Sequence, residues 1–167
     1  MAERDVSTPS DEYKKVSPCW TLPRTLMGGT KAMRMASVAY LPQEKAETDS
    51  QYKIRLNRTT LFNAFKKTVK DMTGKVFSKE ITIGKDVPEQ LVTIAENVDN
   101  AGRHLNVFAR DAFYDSMPTG IGYILTEMPP KLKPGQGSGV NGEVTLADEQ
   151  KANRRPYLCF IAAEDLI

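Results

Sequence analysis

The chain has 167 residues, of which 40% are apolar and 26% charged, and its formal net charge is +2. This length suits one domain with a real core, and the composition is close to the globular average. So small a charge gives no global argument for nucleic acid, and no apolar run approaches the ~18 residues that a membrane span requires.

The opening Met1-Ala2-Glu3-Arg4-Asp5 mixes charges and leads into no apolar block, unlike a secretory signal peptide. An unsecreted protein made in the cytoplasm is therefore expected. Residues 1–12 are polar, with one proline, and read as a loose arm. Trp20, Leu22, Leu26 and Met27 predict a short helix entered near Ser17-Pro18 and stopped by Gly28-Gly29, with a kink or break at Pro23. Residues 30–40 add a further turn or two, and residues 42–49 read as a loop. The strongest helical signal follows. Thr48 or Asp49 supplies a cap, and Phe62, Phe65, Val69, Met72 and Val76 recur at spacings of three and four, which places them on one stripe. The expectation is one long amphipathic helix that ends between Met72 and Phe77.

Residues 80–84 have short strand character. Residues 88–98 predict a helix with Pro88 in its first turn, and residues 105–116 predict another, with Leu105, Phe108, Ala112 and Phe113 on its apolar side. Pro118-Thr119-Gly120 ends that helix, and residues 121–128 read as a strand. From 129 to 153 glycine, proline and charge dominate, the composition of a mobile loop. A closing strand over residues 155–161 follows. The fold class is α+β, with helices first and then a helix plus a small sheet whose strands are joined by a long loop. One domain over residues 13–167 is expected.

Convergent catalytic groups are hard to assemble from this chain. His104 is the sole histidine and stands at a helix start, where capping explains it better than base chemistry, which needs a placed partner. Cys19 and Cys159 lie at opposite ends of the chain, so neither a zinc cluster nor a disulfide is expected. Gly28-Gly29-Thr30-Lys31 and Gly135-Gln136-Gly137-Ser138-Gly139 lack both the Walker spacing and the strand-to-helix context of a phosphate loop. They read as a helix stop and a loop tip. Asp111 and Asp115 stand at i,i+4 spacing and Glu164 beside Asp165, but solvated helix faces carry such pairs and Arg110 adjoins the first. No catalytic residue, metal or cofactor is assigned, and a non-enzyme is expected.

Residues 53–79 stand apart. Lys53, Arg55, Arg58, Lys66, Lys67, Lys70, Lys75 and Lys79 are basic, and Asp71 is the only acid among them. The plain reading is the solvated face of an amphipathic helix. The functional one is a surface for phosphate or an acidic neighbour, with Arg55, Arg58, Lys66, Lys67 and Lys70 as candidate residues. Residues 86–115 carry more acids than bases, so the basic helix can oppose an acidic one in another copy or in another element, which would favour assembly through charge complementarity.

An ordered series of short motifs runs along the chain. It comprises Tyr40-Leu41-Pro42, Gln51-Tyr52 with Arg55, Phe62-Asn63, Thr68-Val69, Gly74 and Val76-Phe77. It continues with Leu105, Phe108-Ala109-Arg110, Gly120-Ile121-Gly122-Tyr123-Ile124-Leu125, Arg155-Pro156-Tyr157-Leu158 and Glu164-Asp165-Leu166-Ile167. In order and spacing this resembles the N-terminal half of a tailed-bacteriophage portal protein, over residues 20–167. The nearest group is the portal-like family long catalogued as a domain of unknown function. Two departures stand out: Lys79-Glu80 replaces a common proline pair, and Ile121 a frequently basic residue.

The resemblance implies the outer wing of a portal subunit, with the chain continuing beyond residue 167 into the stem and clip. It implies a homo-oligomeric ring, commonly a dodecamer, at one capsid vertex of the virion, assembled in the bacterial host cytoplasm. Implied partners are the capsid protein, the terminase, head-completion and tail adaptor proteins, and viral double-stranded DNA, with no membrane. The family offers no catalytic residues to carry over. The alternative function is a DNA-binding accessory module that uses the basic stretch 53–79.

Overall fold

A computed structural model describes residues 8–133, 138–140, 143–152 and 154–166. The architecture is mixed α+β, in agreement with the sequence reading: several helices precede and flank a two-stranded antiparallel sheet. The chain forms two compact units. The first comprises residues 1–79, 110–122 and 162–167, and the second residues 80–109 and 123–161.

In the first unit α1 spans Asp11–Ala36. It starts ahead of the expected Ser17-Pro18 entry, inside the stretch read as an arm. The reason is local: the Ser10 hydroxyl accepts from the Tyr13 amide at 3.1 Å, and Asp11 and Glu12 place negative charge at the positive end of the helix dipole. Gly29, at φ 71° and ψ −157°, interrupts α1 where the sequence places its stop. A 3-10 turn over Ser37–Ala39 follows.

The expected single helix over 48–77 is two helices, α2 (Asp49–Arg58) and α3 (Ala64–Val76). Thr59 turns extended at φ −66° and ψ 131°, while its hydroxyl folds back onto the Arg55 carbonyl at 2.8 Å. Asn63 then caps α3 by accepting from the Lys66 amide at 2.8 Å. Apolar spacing registers a period and does not sense a break within it, so Phe62 keeps the register of the stripe without belonging to a helix. Phe62 lies outside both helices and is 89% exposed. On α3, which packs against α1, Val69 and Thr73 are buried while Met72 and Val76 remain exposed.

Trp20 of α1 is buried and donates from Nε1 to the Thr119 carbonyl at 3.1 Å, and its ring meets Tyr13 edge-on at 5.6 Å. The Tyr13 hydroxyl reaches the Glu164 carbonyl at 3.1 Å. Helix α5 (Leu105–Ser116) brings Phe113 against Phe77, centroids 5.7 Å apart, and buries Ala112. Gly120 takes φ 77° as the chain leaves that helix.

In the second unit α4 (Glu89–Glu96) follows Pro88, and strand β1 (Gly122–Glu127) pairs with β2 (Tyr157–Ala162). The strand expected over 80–84 does not form. Among the described residues no strand pairs with this segment, and the Ile81 amide bonds to Asn106 Oδ1 at 2.7 Å. Val98, Phe108 and Ala95 are buried. The start of β2 is tied to the turn after α4: the Leu158 amide donates to the Val98 carbonyl at 2.7 Å, and Arg155 donates to the Asn97 carbonyl.

Within the loop stretch 129–153 a short helix, α6 (Leu146–Lys151), is held by a reciprocal cap between Thr145 and Asp148. The Ser138 amide also bonds Asp148, at 2.9 Å, and these donors hold its carboxyl well below the usual carboxylate range. Gly135, Gln136 and Gly137 of the glycine-rich tip lie outside the described residues.

Candidate subunit or nucleic-acid interface

Helix α2 is anchored by a hydrogen-bonded knot built from the motif residues nearest to it. Thr48 caps the helix and Gln51 returns the bond to the Thr48 amide at 2.9 Å, a capping box. The Tyr52 ring is buried, and its hydroxyl donates to the Leu41 carbonyl at 3.0 Å while lying 2.9 Å from Ser37 Oγ. Arg55 grips Glu47 with Nε and Nη2 at 2.8 and 2.7 Å, and Nη2 also reaches the Pro42 carbonyl at 2.8 Å. Its guanidinium carbon lies 5.5 Å from the centre of the Tyr52 ring. This pairing holds the Glu47 carboxyl below its ordinary range. Arg55 is therefore already occupied.

The other four candidate cations divide. Lys66 Nζ donates to the Met27 carbonyl at 2.9 Å, and Lys67 pairs with Asp71 one turn on at 2.7 Å, which lowers the Asp71 pKa. Arg58 on α2 and Lys70 on α3 are exposed and form no salt bridge among the described residues. The structure thus spreads the five cations over two helices and leaves Arg58 and Lys70 the most available.

Three of the four carboxylates that raised the question of catalysis have structural partners. Asp111 pairs with Arg110 at 3.1 Å. Asp115 and Glu164 are both held by Arg24. His104 is exposed at the start of α5, and its Nδ1 accepts from the Asn106 amide at 3.2 Å, the capping role expected of it. Cys19 and Cys159 carry free thiols. Among the described residues no group of three or more His, Cys, Asp or Glu side chains could hold a metal ion, and no helix is long and apolar enough to cross a membrane.

Two concave features border α2. A cleft of about 150 Å³ is lined by Thr30, Met33, Leu41, Leu56 and Leu61 among others, and by Arg34, whose Nε donates to the Thr59 carbonyl at 3.0 Å. A shallower groove, of about 430 Å³, is formed by Gln51, Ile54, Arg55, Arg58 and Thr59. Ile54 in that groove is 53% exposed. On α4 in the second unit, Leu91 and Val92 are also exposed, at 53% and 38%. Sequence reasoning missed these apolar residues because it searched for charge. A signal was there, since Val92 lies three residues after Glu89 and four before Glu96. No protein-family model matches the chain, and no curated protein matches it.

Proposed function

We propose that this chain is a structural subunit of a tailed-bacteriophage portal ring, contributing the wing, and that it works by holding neighbours rather than by transforming a substrate. The ordered motif series, from Tyr40-Leu41-Pro42 to Glu164-Asp165, supports the family assignment. The observation that carries the structural role is the pattern of exposure. Ile54, Met72 and Val76 of the first unit and Leu91 and Ile124 of the second are large apolar side chains that each unit leaves open. Apolar area left open in this way is stabilised by removal from water, at roughly 25 cal/mol per Å² buried, and a neighbouring subunit would remove it.

In this reading the ring sits at a capsid vertex, passes viral DNA, and docks the terminase and head-completion proteins. Sedimentation velocity and negative-stain microscopy of the gene product test it. Closed rings of uniform subunit number are the expected result, and a monomer that persists across concentration and salt would overturn it.

A second reading, a DNA-binding module on α2 and α3, draws on the exposed Arg58 and Lys70. It predicts binding to duplex DNA that weakens steeply with salt, and a salt-independent response would remove it. Arg55 and Lys67 weigh against it, because both spend their charge on carboxylates of the same chain.

A further inference from the structure

We infer that α4 of one copy docks in the groove on α2 of the next, so that subunits join head to tail through two different faces of the same chain. This rests on the ring-subunit reading and names the contact that reading requires.

The two helices match in pattern and oppose in charge. On α2, Gln51, Ile54 and Arg58 follow one another at three and four residues, a single stripe with an exposed isoleucine one turn before a cation. Arg55 beside them is held by Glu47, so the cations that α2 offers are Arg58 and the exposed Lys53. On α4, Glu89, Val92 and Glu96 follow one another at the same spacings, with an acid one turn to either side of an exposed valine. Leu91 widens the apolar strip, and α4 contains no basic residue. Neither Glu89 nor Glu96 forms a salt bridge among the described residues. At 1.5 Å per residue the helices are about 12 and 15 Å long, so one covers the other.

Laying Val92 and Leu91 against Ile54 buries apolar area on both sides and places a glutamate beside Arg58 in the groove, while Lys53, on the flank of the same helix, adds to the positive field that the acidic α4 meets. The charges select the partner and the apolar contact supplies the attraction that salt does not screen. Because the two faces differ, each subunit keeps one of each free after the first contact. Such a heterologous contact propagates, and it forms a ring when its rotation closes.

The test uses two charge-reversed variants of the whole gene product: Lys53→Glu/Arg58→Glu, and Glu89→Lys/Glu96→Lys. All four positions are exposed, so circular dichroism should show both variants folded. Each variant alone opposes like charges, and the concentration for half-assembly should rise about tenfold or more. Mixed in equal amounts the two should assemble again, because every junction in an alternating ring is then complementary. Combining all four changes in one chain should restore assembly as well. Unchanged assembly of both single-face variants would overturn the contact while leaving the ring reading in place. Rescue in one chain without rescue on mixing would place the contact within a subunit and also overturn it. A wild-type protein that stays monomeric would overturn the ring reading and this contact together.

Discussion

Arg24 of α1 holds Asp115 of α5 through two parallel bonds, Nη1 to Oδ1 at 2.9 Å and Nη2 to Oδ2 at 3.0 Å. The same guanidinium takes Glu164 on its other side, with Nη2 at 3.0 Å from Oε2 and Nε bonded to Oε1. One side chain thereby joins segments 91 and 140 residues away, in the planar fork geometry that arginine alone offers. The two carboxylates raise the Arg24 pKa, the hydrogen bond to Glu164 more than that to Asp115. Arg24→Met leaves both acids without a counter-charge and should cost about 1–3 kcal/mol of stability. Arg24→Lys should recover only part of this, since a point charge does not reproduce both forks. Urea unfolding of the three proteins checks the order.

The same clamp predicts a pH dependence. Arg24 holds the Glu164 carboxyl below its ordinary 4.5, chiefly by hydrogen bonding. A carboxyl with a depressed folded-state value stabilises fully above its unfolded value and loses that contribution as pH falls through the folded one. The stability gap between wild type and Arg24→Met should therefore be constant near neutrality. It should narrow as acidification carries the pH below the ordinary carboxyl value and through the depressed one. A gap that widens with acid would contradict the assignment.

Trp20 is the only tryptophan and is 6% exposed, so its fluorescence reports on the first unit alone. Emission should be blue-shifted when folded and move red on unfolding. Trp20→Phe keeps the ring contact with Tyr13 but removes the bond to the Thr119 carbonyl, and should cost on the order of 1 kcal/mol. Trp20→Ala should cost about 3–5 kcal/mol through the cavity it leaves. Thermal unfolding followed by circular dichroism measures both.

Two glycines should respond in opposite directions to alanine. Gly29 has φ 71° and ψ −157°, a region where a side chain is strained, so Gly29→Ala should destabilise by about 1–3 kcal/mol. Gly74 lies within α3, and a Cβ there meets nothing within 4 Å. Gly74→Ala should stabilise by about 0.5–1 kcal/mol. Chemical denaturation resolves a pair of opposite shifts even where each is small.

Asn63 does two things at the break between α2 and α3. Its Oδ1 caps α3 and its Nδ2 donates to the Leu26 carbonyl on α1. Asn63→Asp retains the cap and loses the donor, whereas Asn63→Ala loses both. The aspartate variant should fall between wild type and alanine, with alanine costing about 1–2 kcal/mol. Equal losses in the two variants would mean that the Leu26 bond alone matters.

Much of the element list was legible in the residues themselves. The α+β class, the bounds of α5, the stop at Gly29, the start of α4 after Pro88 and the places of the two strands depend on caps, turns and periodicity between near neighbours. The basic character of 53–79 was equally plain, whereas the Lys67–Asp71 pair, one helical turn apart, was not read from it although its i,i+4 spacing offered the signal. Tertiary structure decided what those charges are free to do. Glu47 occupies Arg55 because the loop before α2 folds back on it, and Met27 engages Lys66 because α3 packs on α1. It also gave Asp115 and Glu164 their partner in Arg24 and left residues 80–84 without a strand to pair with. A helix signal is carried by residues three or four apart and survives in any context that does not oppose it. A strand's pairing and a cation's counter-charge depend on which distant segment arrives beside them, and only the folded path of the chain determines that.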